Sequence, residues 1–536
     1  MIACFILSAA TLLCLWPFIE KPVHLDDPLV VWTARQIQQH PGDFYGFNVN
    51  WYGYVNSMAN TETSPPLTSY YMAACASVLG WSERALHTAF LLPAVALILF
   101  SYGLARRLCA HPFLAAAGTL AMPVFILCAS TLMRDTLMAA LWTGAIYLWL
   151  IGLEEKPSAL PLAAVFITAC SLTKYFGLAL VPLLLVYGLC QKRAAGSWLL
   201  WLLLPIAMVA AYELWARHLY GRILITNATQ YAATRNAGQE FAKLVTALSF
   251  VGGCTFLALP AMPLLWNKRT LLLPVAAATI LALALAPMRT IGMFDSAAGA
   301  KWLLIGHLAV LACGGAVMLA LSGFDLWSKR TRESLLLFLW FGGVCLFAAK
   351  LNWTIAGRNM LPLAPVASLL IVRRIEQRAG VAGAGPDRFS LLLAPILATA
   401  ALALALTWGD MKWARAGQGA AEIVASRFAH QMDRARFPGH WGFQYYMEQC
   451  GAQPLNAKDL TLRSGDLIIL PRANSYEISL PPDHLRPLGN YSMNMPSWLS
   501  LQNAQVGAGY YSDNWGPSPF ILGAGGVDEY DVVMVK

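Results

Sequence analysis

Apolar residues in this chain come in long blocks broken by short polar stretches, and the pattern holds to about residue 408. A block of roughly 17–25 apolar residues is long enough to cross a bilayer as a helix. The blocks predict about thirteen spans by that measure. They lie near 2–18, 84–104, 112–130, 135–153, 159–172, 176–190, 197–214, 246–266, 270–287, 302–324, 334–349, 359–372 and 391–408. Segment 67–79 is apolar but short and rich in Tyr, Ser and Ala, which predicts a helix lying at the interface. Asp27-Pro28 predicts a helix start, with Asp27 as N-cap and Pro28 in the first turn, running over 29–39 on the outer surface. After residue 408 the pattern changes. Segment 412–433 predicts an amphipathic helix, and 466–470 and 530–535 predict strands. The chain therefore divides into a membrane domain, 1–408, with a first extracytoplasmic loop at 20–83, and a C-terminal α/β domain, 409–536.

Composition supports this class. Of 536 residues, 58% are hydrophobic and 12% charged, about half the charged fraction of a soluble domain. The net charge of +9 would suit a nucleic-acid binder, but its placement excludes one. The basic residues gather as Arg106-Arg107, Lys192-Arg193, Lys268-Arg269, Lys329-Arg330 with Arg332, and Arg373-Arg374 with Arg378. These fall in alternate short loops, as cytoplasmic loops do. Lys156, beside Glu154 and Glu155, is the exception. An odd number of spans then puts the tail outside the cell, on a multi-pass protein of the inner or plasma membrane. Block 2–18 lacks a basic start and a small-residue cleavage site, so it reads as an uncleaved span. Most of the 11 cysteines lie in apolar blocks, and Cys450 stands alone in the tail. The chain has no Cys/His metal spacing and no phosphate-loop or dinucleotide motif.

Chemistry concentrates in the first loop. At about 50 residues, Lys21 to Tyr71 is far longer than an idle connection needs to be. Its Trp, Tyr and Asn content suits carbohydrate, or else an interfacial aromatic belt. Asp26 and Asp27 at the outer end of a span can supply a base or hold a divalent cation. Capping accounts for Asp27, and nothing local accounts for Asp26. Lys174, between two apolar blocks, suits a lipid phosphate or is a snorkelling lysine. Arg358 sits at a helix start against the dipole preference, which a bound anion would offset. Lys350, Arg289 and Lys301 share that face, and Arg134 with Asp135 forms either a structural ion pair or part of the site.

In order along the chain, these features resemble a known family. The first span followed by Leu25-Asp26-Asp27-Pro28 resembles the acidic signature of GT-C fold glycosyltransferases. More narrowly, it resembles the protein O-mannosyltransferase and aminoarabinose (lipid A) transferase superfamily. Ser64-Pro65-Pro66-Leu67-Thr68-Ser69-Tyr70-Tyr71, Thr173-Lys174 and Arg358-Asn359-Met360-Leu361-Pro362 resemble its later motifs. The resemblance implies transfer of a sugar from a polyprenyl-phosphate donor to a protein, lipid or glycan acceptor on the outer face, with inversion. It implies Asp26 as base or acceptor-orienting residue and Lys174 and Arg358 as holders of the donor phosphate. The family often has His or Lys before the Pro-Pro pair, where this chain has Ser64. Glu62 is near enough to stand in, and the need for a divalent metal cation stays open. The rival reading is a transporter or flippase of lipid-linked sugars, which favours charges near the bilayer midplane and related halves.

Overall fold

Every apolar block is helical in the computed structural model, which describes residues 1–192, 196–233, 240–287, 300–382, 387–475, 478 and 480–536. Arg193 and Arg289 lie outside the described residues. Seven helices are long and apolar enough to cross a membrane: Glu83–Leu108, Asp135–Glu154, Tyr175–Lys192, Ser197–Tyr220, Ala300–Lys329, Arg332–Leu351 and Ser390–Arg427. Two bent pairs bring the number to nine among the described residues. Pro112–Ala121 meets Pro123–Ala129 at 62°, and Glu240–Cys254 meets Ala258–Leu265 at 83°. The first bend has a covalent cause. Pro123 has no N–H to donate and forces Met122 into an extended conformation. The protein is thus a polytopic helical membrane protein with seven to nine candidate spans and a C-terminal mixed-sheet region.

Helix Leu363–Ala382 carries Arg373, Arg374, Glu376 and Arg378, yet most of it is buried at the bundle centre. Its charges have partners inside the protein. Arg373 donates to both oxygens of Asp325 at 3.1 and 2.9 Å and to the Leu108 carbonyl at 2.7 Å. Arg107 pairs with Glu154, and Glu376 accepts from the backbone N–H groups of Ala110 and His111. The basic clusters thereby gather at one end of the bundle. The Asp26, Lys174 and Arg358 ends of the same helices form the other.

Interface segment Leu67–Leu79 is one helix, with the range its pattern predicts. The tail differs from expectation at its entry. Residue 408 lies inside a continuous 41-residue helix, Asp387–Arg427, so the helix predicted over 412–433 is the C-terminal part of the last apolar one. Beyond it lies a five-stranded mixed sheet in the order Gln453–Pro454, Ala435–Phe437, Leu467–Pro471, Val527–Val535, Leu485–Asn494. The first three strands are parallel and the last two pairings antiparallel. Helix Trp441–Gln449 joins the first parallel pair and packs on the first loop. Val23, Leu29, Val31, Phe44 and Trp51 share one core with Phe443, Tyr446, Leu467 and Tyr530. Gly442 permits this contact, because a Cβ there would meet the Val23 carbonyl at 2.3 Å. Val23 N–H also donates to Tyr446 Oη at 2.8 Å, and Gln444 donates to the Asn50 carbonyl at 2.9 Å.

A charge-paired cavity as the candidate active site

A cavity of about 470 Å³ opens where the first loop, the helix ends opposite the basic clusters and the tail meet. Asp26, Glu62, Arg134, Asp135, Lys174 and Arg358 all line it. Three carboxylates and three cations pair off one to one. Arg358 donates to Asp26 at 2.5 Å, and Arg134 grips Glu62 through two hydrogen bonds of 2.8 Å. Lys174 donates to Asp135 at 2.9 Å and to Asn359 at 2.7 Å.

Local structure aims these groups. Lys174 is the extended break between helices Leu160–Thr173 and Tyr175–Lys192, so its side chain enters the cavity and does not snorkel. Arg358 lies in a short turn, Gly357–Met360, that the tail holds in place. Gly357 N–H donates to the Tyr510 carbonyl at 2.6 Å, and a Cβ at Gly357 would meet the Tyr510 ring at 2.3 Å. Asp513 accepts from the Ile355 N–H at 2.9 Å and also from the Thr354 hydroxyl. Three non-glycine residues among those described have positive φ, and two of them, Leu25 at 49° and Trp441 at 70°, line this cavity. Bulky side chains rarely adopt that backbone, and such strain concentrates at functional sites.

Electrostatics separate the two adjacent aspartates. Burial alone would raise the Asp26 carboxyl, but the Arg358 guanidinium and its hydrogen bond hold it below the ordinary carboxylate value. Asp27 is corrected from a capping role. It is the first residue of helix Asp27–Gln39, fully buried, and turned away from the cavity. It accepts from the backbone N–H groups of His24 at 3.1 Å and Leu132 at 3.0 Å. Burial pushes its carboxyl up to about 7 against the pull of Lys21 and those two donors. The two carboxylates diverge, so they do not form the shared cation site that their adjacency suggests. Among the described residues there is no group of three or more His, Cys, Asp or Glu suited to a metal ion.

Arg134 and Asp135 do not close an ion pair on each other but reach Glu62 and Lys174. Glu62 accepts from Arg134 and from the N–H groups of Thr63 and Ser64. Lys350 pairs with Glu240 at an exposed position and does not line the cavity. The tail supplies lining residues that the sequence analysis did not single out: His440, Trp441, Tyr511, Asn514 and Trp515. The His440 ring packs on Trp51 at 4.6 Å, and Trp441 meets Trp515 at 5.5 Å. Burial lowers His440 to about 4, against the pull of Asp26, so it is neutral at pH 7.

Residues 63–215 match the family model described as dolichyl-phosphate-mannose-protein mannosyltransferase, the family to which the motifs point. No curated protein matches the chain in sequence. The Archaeoglobus fulgidus oligosaccharyltransferase tethered to an acceptor peptide shares the fold, with a TM-score of 0.50 and 14% identity over 85% of this chain and 63% of that one. The chain thus spans less than two thirds of that enzyme's length. The same enzyme in complex with Zn and sulfate aligns at TM-score 0.49 and 13% identity over 88% of this chain and 68% of that one. ArnT from Cupriavidus metallidurans bound to undecaprenyl phosphate aligns at TM-score 0.43 and 13% identity, covering 87% and 93% of the two chains.

Proposed function

We propose that the chain is a membrane glycosyltransferase that moves a sugar from a polyprenyl phosphate to a protein, lipid or glycan acceptor. The observation that carries this is the single cavity in which Asp26 meets Arg358 beside Lys174. The match of residues 63–215 to a family named for lipid-phosphate-sugar transfer supports it.

The pairing suggests how the donor prepares the site. A phosphate entering between Lys174 and Arg358 competes with Asp26 for the guanidinium. When Arg358 turns to the phosphate, the burial that Arg358 had been offsetting raises the basicity of Asp26. The acceptor hydroxyl then gives its proton to Asp26 and its oxygen attacks the anomeric carbon. The bond from that carbon to the phosphate oxygen breaks, and the electron pair leaves with the polyprenyl phosphate. Arg358 and Lys174 stabilise the charge that grows there. One direct displacement inverts the anomeric centre. Asp27 holds the loop by accepting two backbone N–H groups and does not touch the substrate.

We read thirteen spans: the seven helices above, the two bent pairs counted as one span each, and Ile2–Phe18, Pro157–Thr173, Arg269–Leu285 and Leu363–Ala382. Ile2–Phe18, Pro157–Thr173 and Arg269–Leu285 are apolar but at the lower limit of spanning length. The cavity and tail then face outward, which the basic clusters at the opposite end support.

The test is transfer of labelled sugar from a panel of polyprenyl-phosphate sugars into envelope material, with wild type beside Asp26→Asn. Wild type transfers, and the variant falls by about 10²–10⁴-fold, the scale of a lost general base. If neither transfers and both carry lipid-linked sugar across vesicles, the protein is a transporter.

A further inference from the structure

A second hollow lies against the first. It is a surface groove of about 440 Å³ lined by Trp32, Gln39, Phe47, Asn48, Arg35 and Glu448, among others. One helix serves both sites. In Asp27–Gln39, Leu29 and Val30 face the catalytic cavity, while Trp32, Arg35, Gln36 and Gln39 face the groove. Trp32 packs edge to face on Trp51 at 6.0 Å, and Trp51 is a wall of the catalytic cavity. At the rise of an α-helix, Asp26 and Gln39 are about 20 Å apart.

The lining selects a ligand class. Arg35 is engaged over the Trp81 ring at 5.1 Å and donates to Tyr445 Oη at 3.5 Å. Glu448 accepts from Gln444 at 2.7 Å. The groove's cation and anion are therefore turned to protein partners, which disfavours an anionic polymer. Polar residues interrupt the wall, which disfavours a lipid chain. Aromatic faces and carboxamides remain. Asn48 and Gln39 are exposed and make no side-chain hydrogen bond within the described residues. Sugar rings lay C–H edges on aromatic faces and exchange hydrogen bonds with amides, which both donate and accept. Few convergent polar groups among aromatics is also how ligand sites fix orientation.

We propose that this groove is a saccharide subsite, holding the inner units of a glycan acceptor whose terminal hydroxyl reaches Asp26. The proposal rests on the transferase reading above and narrows its acceptor to a glycan chain.

The experiment uses the full chain in nanodiscs. Saturation-transfer NMR measures binding of mannotetraose, maltotetraose and chitotetraose to wild type, Asn48→Ala and Asn48→Ala/Gln39→Ala. Undecaprenyl phosphate binding is measured on the same preparations and reports a folded catalytic cavity. We expect at least one tetrasaccharide to bind wild type without donor. We expect the double variant to lose about tenfold in affinity, the scale of two hydrogen bonds, and still to bind the lipid phosphate. If no tetrasaccharide binds wild type, or the double variant binds it unchanged, the groove is not a saccharide subsite. Wild type that binds undecaprenyl phosphate but no tetrasaccharide overturns the subsite alone. Wild type that binds tetrasaccharide but no lipid phosphate overturns the donor reading instead.

Discussion

Asp26 is set between two opposed influences, burial and Arg358, and the balance is measurable. In the free enzyme Arg358 keeps the carboxyl ionised below the usual carboxylate range. A base works in its ionised form, so the acidic limb of kcat/KM, which reports the free enzyme, should lie below the ordinary aspartate range. In Arg358→Gln the main charge opposing burial is gone and the Asp26 value rises. The limb should then move to higher pH, so that activity is lost first on the acid side. A pH profile of kcat/KM for the two proteins checks this, and an unshifted limb would remove Asp26 as the titrating base. Asp26, Lys174 and Arg358 were legible because charge is scarce in so apolar a chain. An ionisable residue at a helix break there has few structural excuses. Asp27 was not legible, because one of its two donors is the Leu132 N–H, 105 residues away, while the local Asp-Pro pattern offered a sufficient wrong reason.

At the scale of elements, one buried pair ties three parts of the chain. Lys21 follows the first helix, Asp410 sits in Asp387–Arg427, and both are fully buried with their charges 2.5 Å apart. Tyr511 of the tail donates to the same Asp410 carboxylate at 2.8 Å and lines the charge-paired cavity. Removing one member of a buried pair leaves an unmatched charge, so Asp410→Ala should cost about 3–5 kcal/mol. Lys21→Met/Asp410→Leu removes both charges and should recover most of that loss. The remaining deficit is about 1 kcal/mol for the lost Tyr511 hydrogen bond. Thermal denaturation in detergent of the single and double variants checks it; equal losses would mean the pair is not coupled. Sequence patterning found the helices themselves but not this join. It also stopped the last span at 408, where Gly409 punctuates the sequence. Gly409 is there for contact, since a Cβ would meet the Leu499 side chain at 2.6 Å, and the helix runs through it. Periodicity reports which face is apolar; it does not report where a helix leaves the membrane and enters a second core.

At the scale of the whole molecule, the two ends of the bundle carry different chemistry, and the proposed reaction requires a particular one to face outward. The end with Arg107, Lys329 and Arg373 is knitted by ion pairs to Glu154 and Asp325. The opposite end holds the cavity, and the tail's sheet shares a core with the first loop there. Because that core is shared, the tail cannot face a different compartment from Asp26. Basic clusters mark the cytoplasmic side, so the cavity and tail should both be extracytoplasmic. Two cysteine probes test this in intact cells. Asp459→Cys, in the tail, should react with a membrane-impermeant maleimide at once. Ser328→Cys, exposed beside Lys329, should react only after permeabilisation. The reverse pattern would put Asp26, Lys174 and Arg358 in the cytoplasm and overturn the outer-face reaction. Labelling of both sites in intact cells would instead contradict a bundle with two distinct faces. The predicted pattern fixes the side from which an acceptor approaches, and it does so for both hollows together, since a single helix, Asp27–Gln39, carries residues of each.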